Sequence, residues 1–175
     1  MKLSRIARRF LAPSLLVSLI YAIKYRCFVS FRSEVELSAS LRIGKGTQIG
    51  SYAKIKATDG MLTIGAHCTI GSGCFIDSGK KSVTIGDFTM ISPNVGVIAI
   101  NYRYDDLDTP FCQQEKVSKG IEIGENVWIG AGAMILDGST IGPGSIITPN
   151  SVVSGIIPPN SIAQGNPATV IFTRR

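Results

Sequence analysis

Fifteen Ile or Val residues fall into five triplets at a strict six-residue spacing, and this rhythm limits the chain to one kind of architecture. The triplets are Ile43/Ile49/Ile55, Ile64/Ile70/Ile76, Ile85/Ile91/Val97, Ile123/Ile129/Ile135 and Ile141/Ile147/Val153. Glycine often follows, as at Gly44, Gly65, Gly86, Gly124 and Gly142. An α-helix repeats every 3.6 residues and cannot produce this pattern, whereas short strands wound around a three-sided prism do, with one inward residue per side. Stiff β-branched side chains suit such columns. The first three triplets start 21 residues apart and the last two 18 apart, so the early coils are expected to carry three extra residues at one corner, near 57–61 and 78–82. Five coils at about 4.8 Å per strand spacing predict a prism roughly 24 Å tall. Each inward side chain contributes about 1.5–3 kcal/mol on burial.

Ser118-Lys119-Gly120-Ile121-Glu122-Ile123-Gly124 runs into Asn126-Val127-Trp128-Ile129-Gly130-Ala131-Gly132-Ala133, and Gly165-Asn166-Pro167-Ala168 follows near the end. With these motifs the chain resembles the hexapeptide-repeat acyltransferase family over about residues 34–170. The resemblance implies an all-β solenoid, a left-handed parallel β-helix, although parallel crossovers are usually right-handed. It also implies a homotrimer and an acetyl-CoA donor held between subunits. Expected boundaries are a basic amphipathic helical segment at 1–33, the β-helix at 34–160 and a tail at 161–175.

Charge is concentrated at the start. Seven of the 18 basic residues (Lys2, Arg5, Arg8, Arg9, Lys24, Arg26 and Arg32) precede the first acid, Glu34, and the remaining 11 are balanced by 12 acidic residues. Between them Phe10 to Ile23 form an apolar run shorter than the roughly 20 residues that cross a bilayer. Four readings fit this segment: an interfacial helix on an anionic membrane surface, a cap over the open first coil, packing between subunits, or a signal peptide without a convincing cleavage site. The expected location is cytoplasmic and peripheral on the inner face of the membrane. Nucleic acid is not an expected partner, because no aromatic stacking platform accompanies the basic residues. Cys27, Cys68, Cys74 and Cys112 have no metal-ligand spacing and read as reduced thiols, and no metal is expected.

The hexad phase breaks once, in the 26-residue step from Val97 to Ile123, and the surplus predicts a protruding loop at about 100–120. Long insertions in compact repeats often carry function. Related acyltransferases place Asn-His-x-x-Asp here, with the histidine as general base. The frame puts that asparagine on Asn101, the histidine on Tyr102 and the aspartate on Asp105. Histidine titrates near 6.5 and tyrosine near 10, so a free tyrosine is only about one part in a thousand ionised at neutral pH. Candidate bases are therefore Tyr102, one of Asp105, Asp106 and Asp108, or His67 brought in from a neighbouring subunit.

On the donor side the resemblance assigns Trp128, Gly130 and Ala131 to acetyl-CoA. Pro149 and Ser154 stand where relatives carry a small residue and a Ser/Thr-Lys pair. The expected activity is acyl transfer, acetyl in the first instance, to a sugar hydroxyl or amine, free or lipid-linked, in surface-polysaccharide assembly. The alternative is a non-catalytic trimer binding a saccharide, a nucleotide or a partner enzyme. One histidine per chain excludes the three-histidine zinc site of γ-class carbonic anhydrases, and the irregular outward residues exclude an ice-binding face.

Overall fold

A computed structural model describes residues 13–175. All fifteen hexad residues point inward, none more than 6% exposed. They form three columns because the strands pair in parallel with hexad residues in register. The first sheet stacks Ile49, Ile70, Ile91, Ile129 and Ile147 through β4 (Gln48–Ile49), β7 (Thr69–Ile70), β10 (Met90–Ile91), β15 (Trp128–Ile129) and β18 (Ile146–Ile147). The second stacks Ile55, Ile76, Val97, Ile135 and Val153 through β5 (Lys54–Lys56), β8 (Phe75–Asp77), β11 (Gly96–Ile98), β16 (Met134–Leu136) and β19 (Val152–Val153). The third joins β3 (Leu41–Ile43), β6 (Met61–Ile64), β9 (Ser82–Ile85), β14 (Ile121–Ile123) and β17 (Thr140–Ile141). The chain visits the sheets in the order third, first, second. It is a left-handed β-helix.

The solenoid is longer than the five expected coils. A coil precedes the first triplet, with β1 (Phe28–Val29) on β4 and β2 (Glu34–Val35) on β5, so regular winding begins at residue 28 rather than 34. Another coil follows the last triplet, with β20 (Ile156–Ile157) on β17 and β21 (Ser161–Gly165) on β18. The expected tail is an ordered antiparallel hairpin, β21 paired with β22 (Ala168–Thr173). Its reversal covers the free edge of β21 with an antiparallel strand and ends the parallel winding.

The surplus residues sit where the spacing put them, at the corner between second and third sheets. Lengthening there lets β3, β6, β9 and β14 each bury a second residue, Leu41, Leu62, Val83 and Ile121. Small polar residues and thiols close the corner between third and first sheets. Thr47 and Thr89 donate to the carbonyls of Gly65 and Gly124 at 2.7 and 2.9 Å, and the Cys27 and Cys68 thiols donate to Gly44 and Gly86 at 3.1 and 3.2 Å. Cys74 does the same at the next corner, with Ser92. Burial pushes these three thiols above the usual cysteine range, while Cys112 is exposed. The three buried cysteines therefore serve as corner donors interchangeable in role with serine and threonine.

Residues 1–12, with Lys2, Arg5, Arg8 and Arg9, lie outside the described residues. Helix α1 (Ser14–Tyr25) lies across the first coil, with Val17 and Tyr21 buried. The Tyr21 hydroxyl donates to the Glu36 carbonyl at 3.1 Å. Lys24 in the last turn suits the helix dipole, and Arg26 ends the helix in the left-handed conformation. Val29 and Val35 beneath it are 5% and 7% exposed. In this position the helix covers the open end of the first coil. Among the described residues no helix is long and apolar enough to cross a membrane.

Candidate active site

The insertion emerges from the corner already widened in earlier coils, between β11 and β14. It is a small antiparallel hairpin, β12 (Asn101–Tyr102) on β13 (Lys116–Val117), with Asn101 opposite Val117 and Tyr102 opposite Lys116. The amide of Arg103 continues the ladder to the Glu115 carbonyl at 2.9 Å. Ser118 anchors its base, donating to the Ala99 carbonyl at 2.6 Å. The tip is built as a turn: the Asp106 carboxylate accepts the amides of Asp108 and Thr109, and the Gln114 side chain donates to the carbonyls of Asp106 and Thr109.

These contacts separate the candidate bases. Tyr102 is 39% exposed, and the Lys116 ammonium lies 5.4 Å from its ring centroid, a cation–π distance. Asp105 is forked by the Arg103 guanidinium, with one bond at 3.0 Å from Nε to Oδ1 and a second from Nη2 to Oδ2. That guanidinium holds its carboxyl below the ordinary aspartate range, which makes Asp105 a weak proton acceptor. Asp106 is lowered too, first by the Thr109 side chain and then by the amides of its own turn, and is committed to that turn. His67 stands on a different edge of the prism, at the corner between third and first sheets. There it adopts φ 56° and stacks on Phe88, with ring centroids 5.3 Å apart. It does not share an edge with the hairpin of its own chain.

A cleft of about 400 Å³ lies beside the hairpin, lined by Asn101, Tyr102, Asp105, Ser118, Lys119 and Asp137 among others. Asp137 escaped the sequence reading. It belongs to the next coil at the same corner and accepts the amides of Lys119 and Gly120 at 2.8 and 2.9 Å, tying the returning chain to the solenoid. Aligning corners rather than inward columns would have found it, because Leu136-Asp137-Gly138 is the corner facing the insertion.

The five expected donor-side residues divide. Trp128 projects from the first sheet, 45% exposed, with its indole N–H donating to Ser92 Oγ at 3.1 Å. Gly130 and Ala131 follow at the corner between first and second sheets, and Pro149 lies against them from the next coil. The Gly130 N–H is spent on the Ile147 carbonyl at 2.8 Å, so it is not a ligand donor. Glycine is required there for packing, since a Cβ would come within 2.5 Å of the Pro149 nitrogen. Ala131 is exposed and its carbonyl accepts the Asn150 amide at 2.9 Å. Ser154 is exposed on the hairpin's edge of the prism, after β19. One protomer therefore brings together Asn101, Tyr102 and Asp105, and separately Trp128, Gly130, Ala131 and Pro149, but not the two groups.

Two family descriptions match the chain. Bacterial transferase hexapeptide (six repeats) covers residues 120–155, and Hexapeptide repeat of succinyl-transferase covers 61–97. The probable acetyltransferase Rv3034c of Mycobacterium tuberculosis is 33% identical over 137 residues, which is 78% of this chain and 45% of that protein. The chain thus spans just under half the length of this relative. Among solved structures, a variant of AntD, an N-acyltransferase from Bacillus cereus in complex with dTDP and coenzyme A, superposes with a TM-score of 0.76 at 20% identity, covering 85% of this chain and 82% of that one. At that identity the likeness is one of fold. The polySia-specific acetyltransferase NeuO superposes with a TM-score of 0.57 at 30% identity, covering 76% of this chain and 59% of that one.

Proposed function

We propose that this chain, a member of the hexapeptide-repeat acyltransferase family, transfers an acyl group, acetyl in the first instance, from acyl-coenzyme A to a hydroxyl or amine of a sugar. The observation that carries this reading is the ordered hairpin at 101–117, extruded beside the coils that match bacterial transferases and bordered by its own cleft. The acyl-CoA and the sugar acceptor are supported by AntD, which holds coenzyme A and dTDP, and by NeuO, which acts on polysialic acid. A sugar, nucleotide-linked as in AntD or polymeric as in NeuO, is the acceptor class that fits both.

Because the hairpin and the Trp128–Ala131 stretch lie on different edges, a complete site requires a second copy. A homotrimer with the hairpin edge of one protomer facing the Trp128 edge of the next supplies it. Acetyl-CoA then lies along Trp128, Ala131 and Pro149, with Ser154 on the neighbouring copy's hairpin edge. The acceptor oxygen or nitrogen attacks the thioester carbonyl carbon, and the carbon–sulfur bond breaks. A tyrosine hydroxyl both accepts and donates. Tyr102 therefore takes the acceptor's proton while passing its own to the departing sulfur, so that free coenzyme A leaves as thiol and the phenol is unchanged. Asn101 binds the sugar, and Asp105, fixed by Arg103, positions the hairpin strand.

The test is thiol release from acetyl-CoA, measured with a panel of nucleotide-linked amino sugars and free oligosaccharides. Acceptor-dependent release is expected, and release no faster than without acceptor across the panel contradicts the assignment. A non-catalytic binding trimer is the second reading, favoured by the absence of an imidazole from the hairpin. It predicts saccharide binding without thiol release.

A further inference from the structure

The capping helix has two apolar faces, and the cap uses one of them. Val17 and Tyr21 face the first coil. On the opposite side Leu15, Leu19 and Ile23 recur every fourth residue, with Leu16 beside them, and they are 69%, 54%, 74% and 49% exposed. Phe31, 55% exposed, stands at the first corner of the same end of the prism. A helix whose sole task was to seal a solenoid would be polar on its outer side.

The charges around this face have one sign. Lys24, Arg26 and Arg32 are exposed at the same end, Lys24 over the ring of Tyr25 and Arg32 over that of Phe31. No acidic residue occurs in the first 33 positions. The first two, Glu34 and Glu36, are engaged with the solenoid: Glu34 faces Lys54 and Lys56, and Glu36 accepts the Ala57 amide. An apolar helical face bordered only by cations is complementary to an anionic bilayer interface.

We infer that the N-terminal end of the solenoid docks on an anionic lipid surface through the outer face of α1, with Lys24, Arg26 and Arg32 on the headgroups. The prism then stands on the membrane end-on. The hairpin leaves the fourth coil, three rises above the first, about 14 Å further from the bilayer at about 4.8 Å per coil. A sugar carried on a lipid headgroup reaches that height with a short saccharide. The docking rests on the helix alone and does not depend on the proposed chemistry.

Flotation of the full-length protein with vesicles of phosphatidylcholine, with and without phosphatidylglycerol, tests it. Wild type is expected to float with the anionic vesicles only and to be released in 1 M salt, where the screening length falls from about 10 to about 3 Å. The Leu15→Glu/Leu19→Glu/Ile23→Glu variant leaves Val17 and Tyr21 in place. It is expected to lose about tenfold or more of the bound fraction, with its circular dichroism melt and sedimentation mass unchanged. Equal flotation on neutral vesicles, no flotation of wild type, or equal binding by the variant overturns the inference. A lower sedimentation mass of the variant also overturns it, because the face would then be covered by a second copy. Should the triple variant fail to fold, Lys24→Gln/Arg32→Gln applies the same test, and undiminished anionic flotation again overturns it.

Discussion

Changing Tyr102→Phe is expected to lower turnover by about a hundred- to ten-thousand-fold, the usual worth of a positioned proton-transfer group, while coenzyme binding is unaffected. The phenyl ring keeps its place under the Lys116 ammonium, so the hairpin and the cation–π contact survive. The lost atom is the hydroxyl that receives and returns a proton. Steady-state kinetics should show the loss in kcat, with KM for acetyl-CoA little changed. A variant with wild-type kcat would remove Tyr102 from the reaction. The Tyr102→His variant sharpens the test, because an imidazole with an ordinary pKa near 6.5 holds a free base at neutral pH. Its kcat should rise with pH through that value.

The second large effect concerns stability and contrasts two isoleucines. Ile129 is 0% exposed in the first-sheet column, between Ile91 and Ile147, and Ile129→Ala is expected to cost about 2–5 kcal/mol through lost burial and a residual cavity. Ile156 is 78% exposed, and Ile156→Ala should stay within about 0.5 kcal/mol. For a chain of this size the first change lowers the melting temperature by on the order of 10 °C and the second by about 2 °C or less. Equal shifts in calorimetry would mean that inward register does not govern stability.

Inward register was also the part of the fold most legible in the sequence, because each side of the prism demands a bulky β-branched residue at a fixed position. Where corners change length, the signal fails. Val29 and Val35 obey the six-residue spacing, but Ile43 comes eight residues later, so the expected boundary at 33/34 cuts the first coil between β1 and β2. Ile157 follows Val153 by four residues, and the expected boundary at 160/161 cuts the last coil between β20 and β21. Asp105 falls in the surplus that the spacing assigns to a loop, yet its fork with Arg103 depends on a local fold that spacing does not encode. Gly130 was found by motif, but its role is intercoil packing against Pro149, which only the superposition of corners reveals.

Acyl transfer stands or falls first on the donor, and isothermal titration of the purified protein with acetyl-CoA and coenzyme A tests it most directly. The account predicts saturable binding with Kd on the order of micromolar, about −8 kcal/mol, preserved in Tyr102→Phe. Absence of binding up to about millimolar concentration would contradict it and leave the hairpin cleft as a surface for saccharide recognition without chemistry.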